Sequence, residues 1–198
     1  QSINPASNYV YSSNNQPDTI AGVLYPGYYL PEDRGQRIEQ LLEVKNDWTQ
    51  EDVQQMIFDV TSPVVPQVIA NLVASLKTEN FTKNEQEALQ NLKDWNGEYK
   101  KEDTAPTIYN RFLYEFLEGT FKDELGESFP MFMQTPLMKK MIAVQAKKAV
   151  SVWFDDVTTE PKETKSDIVQ RSFINAISFL ENQLGDTVSL WSWSKVIS

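Results

Sequence analysis

Histidine and cysteine are both missing from the 198 residues, which removes most familiar catalytic machinery. No Ser-His-Asp triad or Cys-His pair can be assembled from this chain. No disulfide can form, and neither thiolate nor imidazole is present to hold zinc. Any chemistry must rest on carboxylates, amides, hydroxyls, Lys or Arg, or on a segment supplied from elsewhere. The Asn14-Asn15 pair precedes Gln16-Pro17. An amide side chain carries both donor and acceptor, and Asx side chains often bond their own backbone, so the pair by itself reads as a turn former. Arg34 by itself reads as a surface or ion-pair residue. Asp155-Asp156 brings two carboxylates together, as glycoside hydrolysis requires. That chemistry depends on a particular separation in space, which adjacency in sequence does not establish.

The charge balance narrows the partners. Lys and Arg number 18 against 28 Asp and Glu, a net charge of −10. A phosphate backbone is repelled by most of such a surface, and nucleic-acid binding needs a concentrated basic footprint. The richest basic stretch, Lys139–Lys148, reads as one face of a helix. Acidic balance is compatible with calcium, although many solvated surfaces are simply acidic. No run of about 18 apolar residues suggests a membrane-spanning helix. At the start, Gln1, Asn4, Asn8 and Asn14 interrupt any apolar run of the signal-peptide kind.

The elements that must position these groups fall into two styles. Residues 1–33 form an arm rich in breakers: Asn4-Pro5, Asn14-Asn15-Gln16-Pro17, Tyr25-Pro26-Gly27 and Leu30-Pro31. Tyr9-Val10-Tyr11 is a short strand candidate within it. An arm this long either wraps a larger body or binds something. Residues 34–198 read as helices. Ile38, Leu41 and Leu42 share a face. Thr49 with Asp52, Thr82 with Glu85, and Thr164 with Asp167 mark helix starts, since a threonine oxygen accepts from an early amide while the acid favours the positive end. Pro106 opens another helix, carrying Ile108, Phe112, Leu113, Phe116 and Leu117. Leu137–Val152 is helical, and Gly185 stops the last long helix. Residues 126–136, with Gly126, Pro130 and Pro136 around Phe129 and Phe132, read as an apolar lid or an aromatic loop packed on the core. The tail Leu190-Trp191-Ser192-Trp193 alternates like a strand. The fold class is therefore mainly α, an irregular multi-helix domain with extended segments at both ends. Those ends look like sheet material separated from its sheet.

The order of motifs resembles the penicillin acylase (penicillin amidase) family. The similarity is to the internal, mostly helical region of the large (beta) chain of an N-terminal nucleophile hydrolase. The arm Asn4-Pro5-Ala6-Ser7-Asn8-Tyr9-Val10-Tyr11, followed by Asn14-Asn15-Gln16-Pro17, is similar to a family stretch of Asn-Pro, a Tyr with an apolar pair, and Asn-Asn-x-Pro. Further on come Tyr25-Pro26, Arg34 and Arg37-Ile38-Glu39-Gln40-Leu41-Leu42. Then follow Trp48-Thr49-Gln50-Glu51-Asp52, Leu89–Gly97 and the Trp191-Ser192-Trp193 pair. Ser194 stands where the family often has glycine.

The resemblance implies an αββα hydrolase from which this helical domain is excised. It implies cleavage of an N-acyl amide, such as a β-lactam side chain or an acyl-homoserine lactone, by a serine at the N-terminus of the mature large chain. That serine lies far upstream, so neither Gln1 nor Ser2 is expected to be the nucleophile. Its own α-amine is the base. The oxyanion that develops takes a hydrogen bond from an asparagine side chain, which the motif places at Asn14. Arg34 matches the family's active-site arginine, expected to orient Asn14 or the region of the terminal amine. No cofactor is expected in this chain. Calcium belongs to many family members, and Asp18 and Asp33 are acidic neighbours without a matched ligand set. The implied partners are the remaining segments of the parent enzyme and a small amide substrate, with no nucleic acid and no transmembrane segment. The implied compartment is periplasmic or extracellular. On this reading the isolated chain is inactive. The alternative is a non-catalytic helical binding module that docks through the arm and residues 126–136.

Overall fold

The computed structural model describes residues 3, 5–17, 19, 21–27, 29, 32–156 and 158–197. Gln1, Ser2, Asn4, Asp18, Leu30 and Pro31, all named above, lie outside the described residues. The architecture is mainly α, an irregular set of helices with no β-sheet among the described residues. The chain divides into two compact units, Gln1–Pro63 and Val64–Ser198.

The first unit contains the arm and two helices, α1 (Asp33–Leu42) and α2 (Gln50–Ile57). Its described residues form no hydrophobic cluster. Val44, Ile57 and Phe58 are each more than 70% exposed, and the buried described residues are Ser13 and Gly35. Polar contacts hold the elements instead. Arg37 grips the Asp59 carboxylate with two parallel bonds, Nε to Oδ1 at 2.9 Å and Nη2 to Oδ2 at 2.6 Å. A planar guanidinium suits this two-toothed grip. It fastens α1 to the segment after α2 and holds the Asp59 carboxyl below the usual carboxylate range. Ser62 Oγ donates to Asp33 Oδ1 at 2.8 Å.

Helix α2 begins with a full capping box. Thr49 Oγ1 accepts from the Asp52 amide, and the Asp52 carboxylate accepts from the Thr49 amide. Lys45 also pairs with that carboxylate. The Lys45 bond first, then the Thr49 backbone and hydroxyl donors, hold Asp52 down to about 2 from 3.8. A depressed carboxylate stabilises the folded state above its unfolded value. That contribution is lost as the pH falls from 3.8 through about 2. A carbon-detected carboxyl titration is expected to find Asp52 among the last acids to protonate. Lys45→Met is expected to move its midpoint back toward 3.8. An unchanged midpoint in that variant would remove Lys45 as the principal cause.

The second unit is built around α5 (Ala105–Leu125), packed along α8 (Lys165–Leu184). Helix α5 has buried residues on most of its circumference, among them Ile108, Phe112, Phe116 and Leu117. It is covered by α3 (Val65–Val73), α4 (Lys83–Asp94) and their neighbours in one apolar cluster. Phe173 of α8 is fully buried, stacked on Phe81 and met edge-on by Phe112, both at 5.3 Å. Each such buried side chain contributes about 1.5–3 kcal/mol of transfer free energy. The capping boxes Thr82–Glu85 and Thr164–Asp167 start α4 and α8. Gly185 ends α8 at φ +88°, a left-handed conformation that glycine adopts without a Cβ clash.

Residues 126–136 are packed and helical. A 3-10 turn, Gly126–Ser128, leads into a short helix α6 (Phe129–Met133), and α7 (Pro136–Lys147) follows. The prolines sit in the first turns of α6 and α7, where a missing N–H loses no helical bond. Phe129 is buried beside Leu117 and Phe121, and Phe132 packs against them. The tail departs from the strand expectation. It forms two 3-10 turns, Val188–Leu190 and Trp193–Lys195. Trp191 is fully buried and donates through Nε1 to Gly185 O at 2.8 Å. The amides of Trp193 and Ser194 bond Asp103 O and Lys101 O at 2.9 and 2.8 Å. Loop carbonyls thus replace the partner strand that the alternation suggested. Helix α7 also stops at Lys147, short of the expected Val152. Lys165 Nζ donates to Ala146 O at 2.6 Å, engaging a carbonyl in its last turn.

Candidate functional site

Arg34 stands in the first turn of α1 and reaches back across twenty residues of chain to the arm. Its Nη2 donates to Asn14 Oδ1 at 3.0 Å and to Ser13 O at 2.9 Å. The sequence-predicted pair is therefore brought together in one contact. The contact also fixes the amide's direction. A guanidinium has donors only, so only the amide oxygen can face it. Asn14 Nδ2 is left pointing elsewhere, and among the described residues it donates to no protein acceptor. Asn14 is exposed and has φ +61°, a left-handed conformation that asparagine tolerates better than most residues. Beneath it, Ser13 Oγ donates to Asn15 Oδ1 at 2.7 Å. Gln16 Nε2 donates to Tyr25 O at 3.1 Å, folding the arm on itself.

The arrangement presents a fixed neutral N–H donor backed by a cation. Such a group can stabilise negative charge that develops on an oxygen placed beside it. It cannot supply a nucleophile or a base.

The other candidate groups are engaged in structure. Asp155 Oδ1 accepts from the Glu163 amide at 2.9 Å. Asp156 Oδ1 accepts from the Thr158 amide and hydroxyl at 2.9 and 2.6 Å. The first closes the loop to Glu163 and the others form a turn, so both carboxylates are engaged in local structure. Asp33 accepts from Ser62 Oγ, and Asp18 lies outside the described residues. Among the described residues no cluster of acidic side chains could hold a metal ion. Among the described residues, therefore, no acidic donor set is offered to calcium. Glu124 is a perturbed acid that the sequence did not flag. The residue is exposed overall, but partial burial of its carboxyl and then its bond with Asp123 push it up to about 7. A cleft of about 620 Å³ is lined by Lys77, Lys147 and Lys165 with the ends of α3 and α7. Its innermost cation is already committed, because Lys165 Nζ donates to Asn71 O at 3.0 Å and to Ala146 O.

The penicillin amidase family model matches residues 1–198, the whole chain. The chain belongs to the penicillin amidase family. Among curated relatives of this penicillin amidase region is the acyl-homoserine lactone acylase QuiP of Pseudomonas aeruginosa. It is 27% identical over 188 residues, covering 85% of this chain and 22% of that protein. QuiP of Pseudomonas fluorescens is 32% identical over 121 residues, covering 56% of this chain and 14% of that protein. QuiP of Pseudomonas syringae pv. tomato is 29% identical over 119 residues. The chain thus spans about a fifth or less of the length of these relatives. The helical architecture, sheet-free among the described residues, agrees with an internal helical region of a penicillin amidase. Sequence reasoning missed Ser13 and Gly35 beside the Asn14–Arg34 contact. The available signal was a glycine in the first turn of a helix, where nothing local calls for one.

Proposed function

We propose that the complete enzyme hydrolyses an N-acyl amide, and that this chain supplies the amide donor for its oxyanion. Acyl-homoserine lactones are the substrate class suggested by the relatives' names, with β-lactam side chains the alternative within the same chemistry. A terminal serine hydroxyl, borne by a segment outside this chain, attacks the acyl carbonyl and gives its proton to its own α-amine. The carbonyl oxygen takes the negative charge, and Asn14 Nδ2 donates to it. Collapse expels the amine, which takes a proton, and leaves an acyl-serine ester that water then cleaves. Arg34 turns the Asn14 amide the right way round. A cation near the terminal amine also disfavours its protonated form and so keeps the base free.

One observation carries this reading. Arg34 Nη2 lies 3.0 Å from Asn14 Oδ1, which commits the amide oxygen and frees the amide nitrogen. In this scheme the arm, residues 1–33, brings the donor, and residues 34–198 are the helical domain that follows it. The remaining segments of the parent enzyme cover the exposed Val44, Ile57 and Phe58. The enzyme works in the periplasm or outside the cell, in keeping with its family.

The test compares the purified 198-residue chain with the complete precursor. The precursor is expected to cleave itself to expose a serine and then to release acid from an N-acyl-homoserine lactone. The chain alone is expected to give no turnover above buffer. Turnover by the chain alone, or a precursor that neither processes nor turns over, overturns the proposal.

A further inference from the structure

We propose that Gly35, Ser13 and Asn15 form a positioning clamp that holds Asn14 in its left-handed conformation, with its amide against Arg34. This rests on the oxyanion reading above. The conformation needs support, because a non-glycine residue at φ +61° sits in a sparsely populated region that persists only when its surroundings enforce it. The two neighbours of Asn14 provide the enforcement. Ser13 is 3% exposed, and among the described residues of its unit the other buried one is Gly35. Its carbonyl is held by Arg34 at 2.9 Å and its hydroxyl by Asn15 Oδ1 at 2.7 Å. The Ser13–Asn15 bond passes across Asn14, so the chain is pinned on both sides of it.

Gly35 is the seat of that bond. It lies within α1 and is buried. A helix gains nothing from glycine, which is a poorer helix former than alanine. The reason for glycine is the neighbour. A Cβ at Gly35 would stand 2.8 Å from Ser13 Oγ and 3.2 Å from Asn15 Cγ. One methyl group would push the Ser13–Asn15 pair away from α1, and Asn14 would move with it relative to Arg34. Arg34 and Gly35 are consecutive in sequence, so one turn of helix both anchors the amide and makes room for the loop that carries it. Ser13, Asn15 and Gly35 do not touch the reacting atoms. They act through Asn14.

The test uses the complete, self-processed enzyme and follows kcat and KM separately. A displacement of about 1 Å can cost up to roughly 100-fold in rate. Gly35→Ala is expected to lower kcat by about 10-fold or more, with KM changed less than about 2-fold. Adding Ser13→Ala to Gly35→Ala removes the nearest clashing atom and is expected to restore part of kcat. A merely structural role for Gly35 would lower the yield of processed enzyme and leave kcat per processed molecule unchanged. Asn15→Ala adds no bulk and covers the case in which Gly35→Ala does not process. It is expected to lower kcat with KM unchanged. Wild-type kcat in Asn15→Ala together with wild-type kcat or absent rescue in the Gly35 variants overturns the clamp. Asn14→Ala, measured alongside, separates the two readings. If it abolishes turnover while the clamp variants remain at wild-type kcat, the oxyanion reading stands and the clamp falls. If it is itself at wild-type kcat, the oxyanion reading falls first.

Discussion

Asn14→Ala in the complete enzyme is expected to lower kcat by about 100- to 1,000-fold, equivalent to roughly 2.7–4 kcal/mol in the barrier, with little change in KM. The split between the constants follows from where the donor acts. Asn14 Nδ2 has no protein acceptor among the described residues, and it meets full negative charge only when the tetrahedral species forms. A group that strengthens its bond in the transition state alone changes kcat rather than ground-state binding. Alanine at φ +61° also carries backbone strain, so a second variant separates chemistry from conformation. Asn14→Asp keeps the size and the tolerance of the left-handed region, but an ionised carboxylate has no donor. Its charge also opposes the oxyanion. Asn14→Asp is expected to be at least as inactive as Asn14→Ala. Steady-state kinetics on an N-acyl-homoserine lactone, with processing checked by mass, decides the matter. Retention of more than a third of kcat in either variant excludes Asn14 as an oxyanion donor.

The largest stability effect is expected at Phe173. It is fully buried and touches two aromatic rings from different helices or loops, Phe81 and Phe112. Phe173→Ala removes both ring contacts and leaves a void that close-packed neighbours cannot fill. Such truncations cost about 3–5 kcal/mol, a large fraction of the stability of an ordinary domain. Urea unfolding followed by tryptophan fluorescence is expected to show a much lower midpoint with a similar slope. Ile174, the next residue on α8, is 37% exposed, and Ile174→Ala is expected to cost less than about 1 kcal/mol. Equal losses at the two positions would contradict the packing of α8 on α5.

Much of the helical unit could be read from sequence because its determinants are local. A threonine with an acid three residues later satisfies the same two backbone groups wherever it occurs. Thr49, Thr82 and Thr164 therefore mark true helix starts. Apolar spacing on Ile108, Phe112 and Phe116 needs no knowledge of the partner helix. Elements whose shape depends on a remote partner were less legible. The Trp191-Ser192-Trp193 alternation fits a strand. Its backbone is instead satisfied by carbonyls of Lys101 and Asp103, and nothing in the tail encodes them. Pro130 and Pro136 suggested broken structure, yet each lies in a first helical turn, where proline is tolerated. Asn14 and Arg34 could be paired only through resemblance to a family, since no periodicity links residues twenty positions apart. Gly35 was unread because its meaning lies in the Ser13 hydroxyl opposite it.

Lys165 has a consequence for how the helical unit opens. Its ammonium donates to carbonyls at the ends of two helices, Asn71 O and Ala146 O, and burial lowers its affinity for the proton. The positive charge meets the negative ends of both helix dipoles at one point. Three segments remote in sequence thus share a single nitrogen as their knot, so fraying of either helix end loosens the support of the other. In hydrogen exchange the amides of these two ends are expected to open together rather than independently.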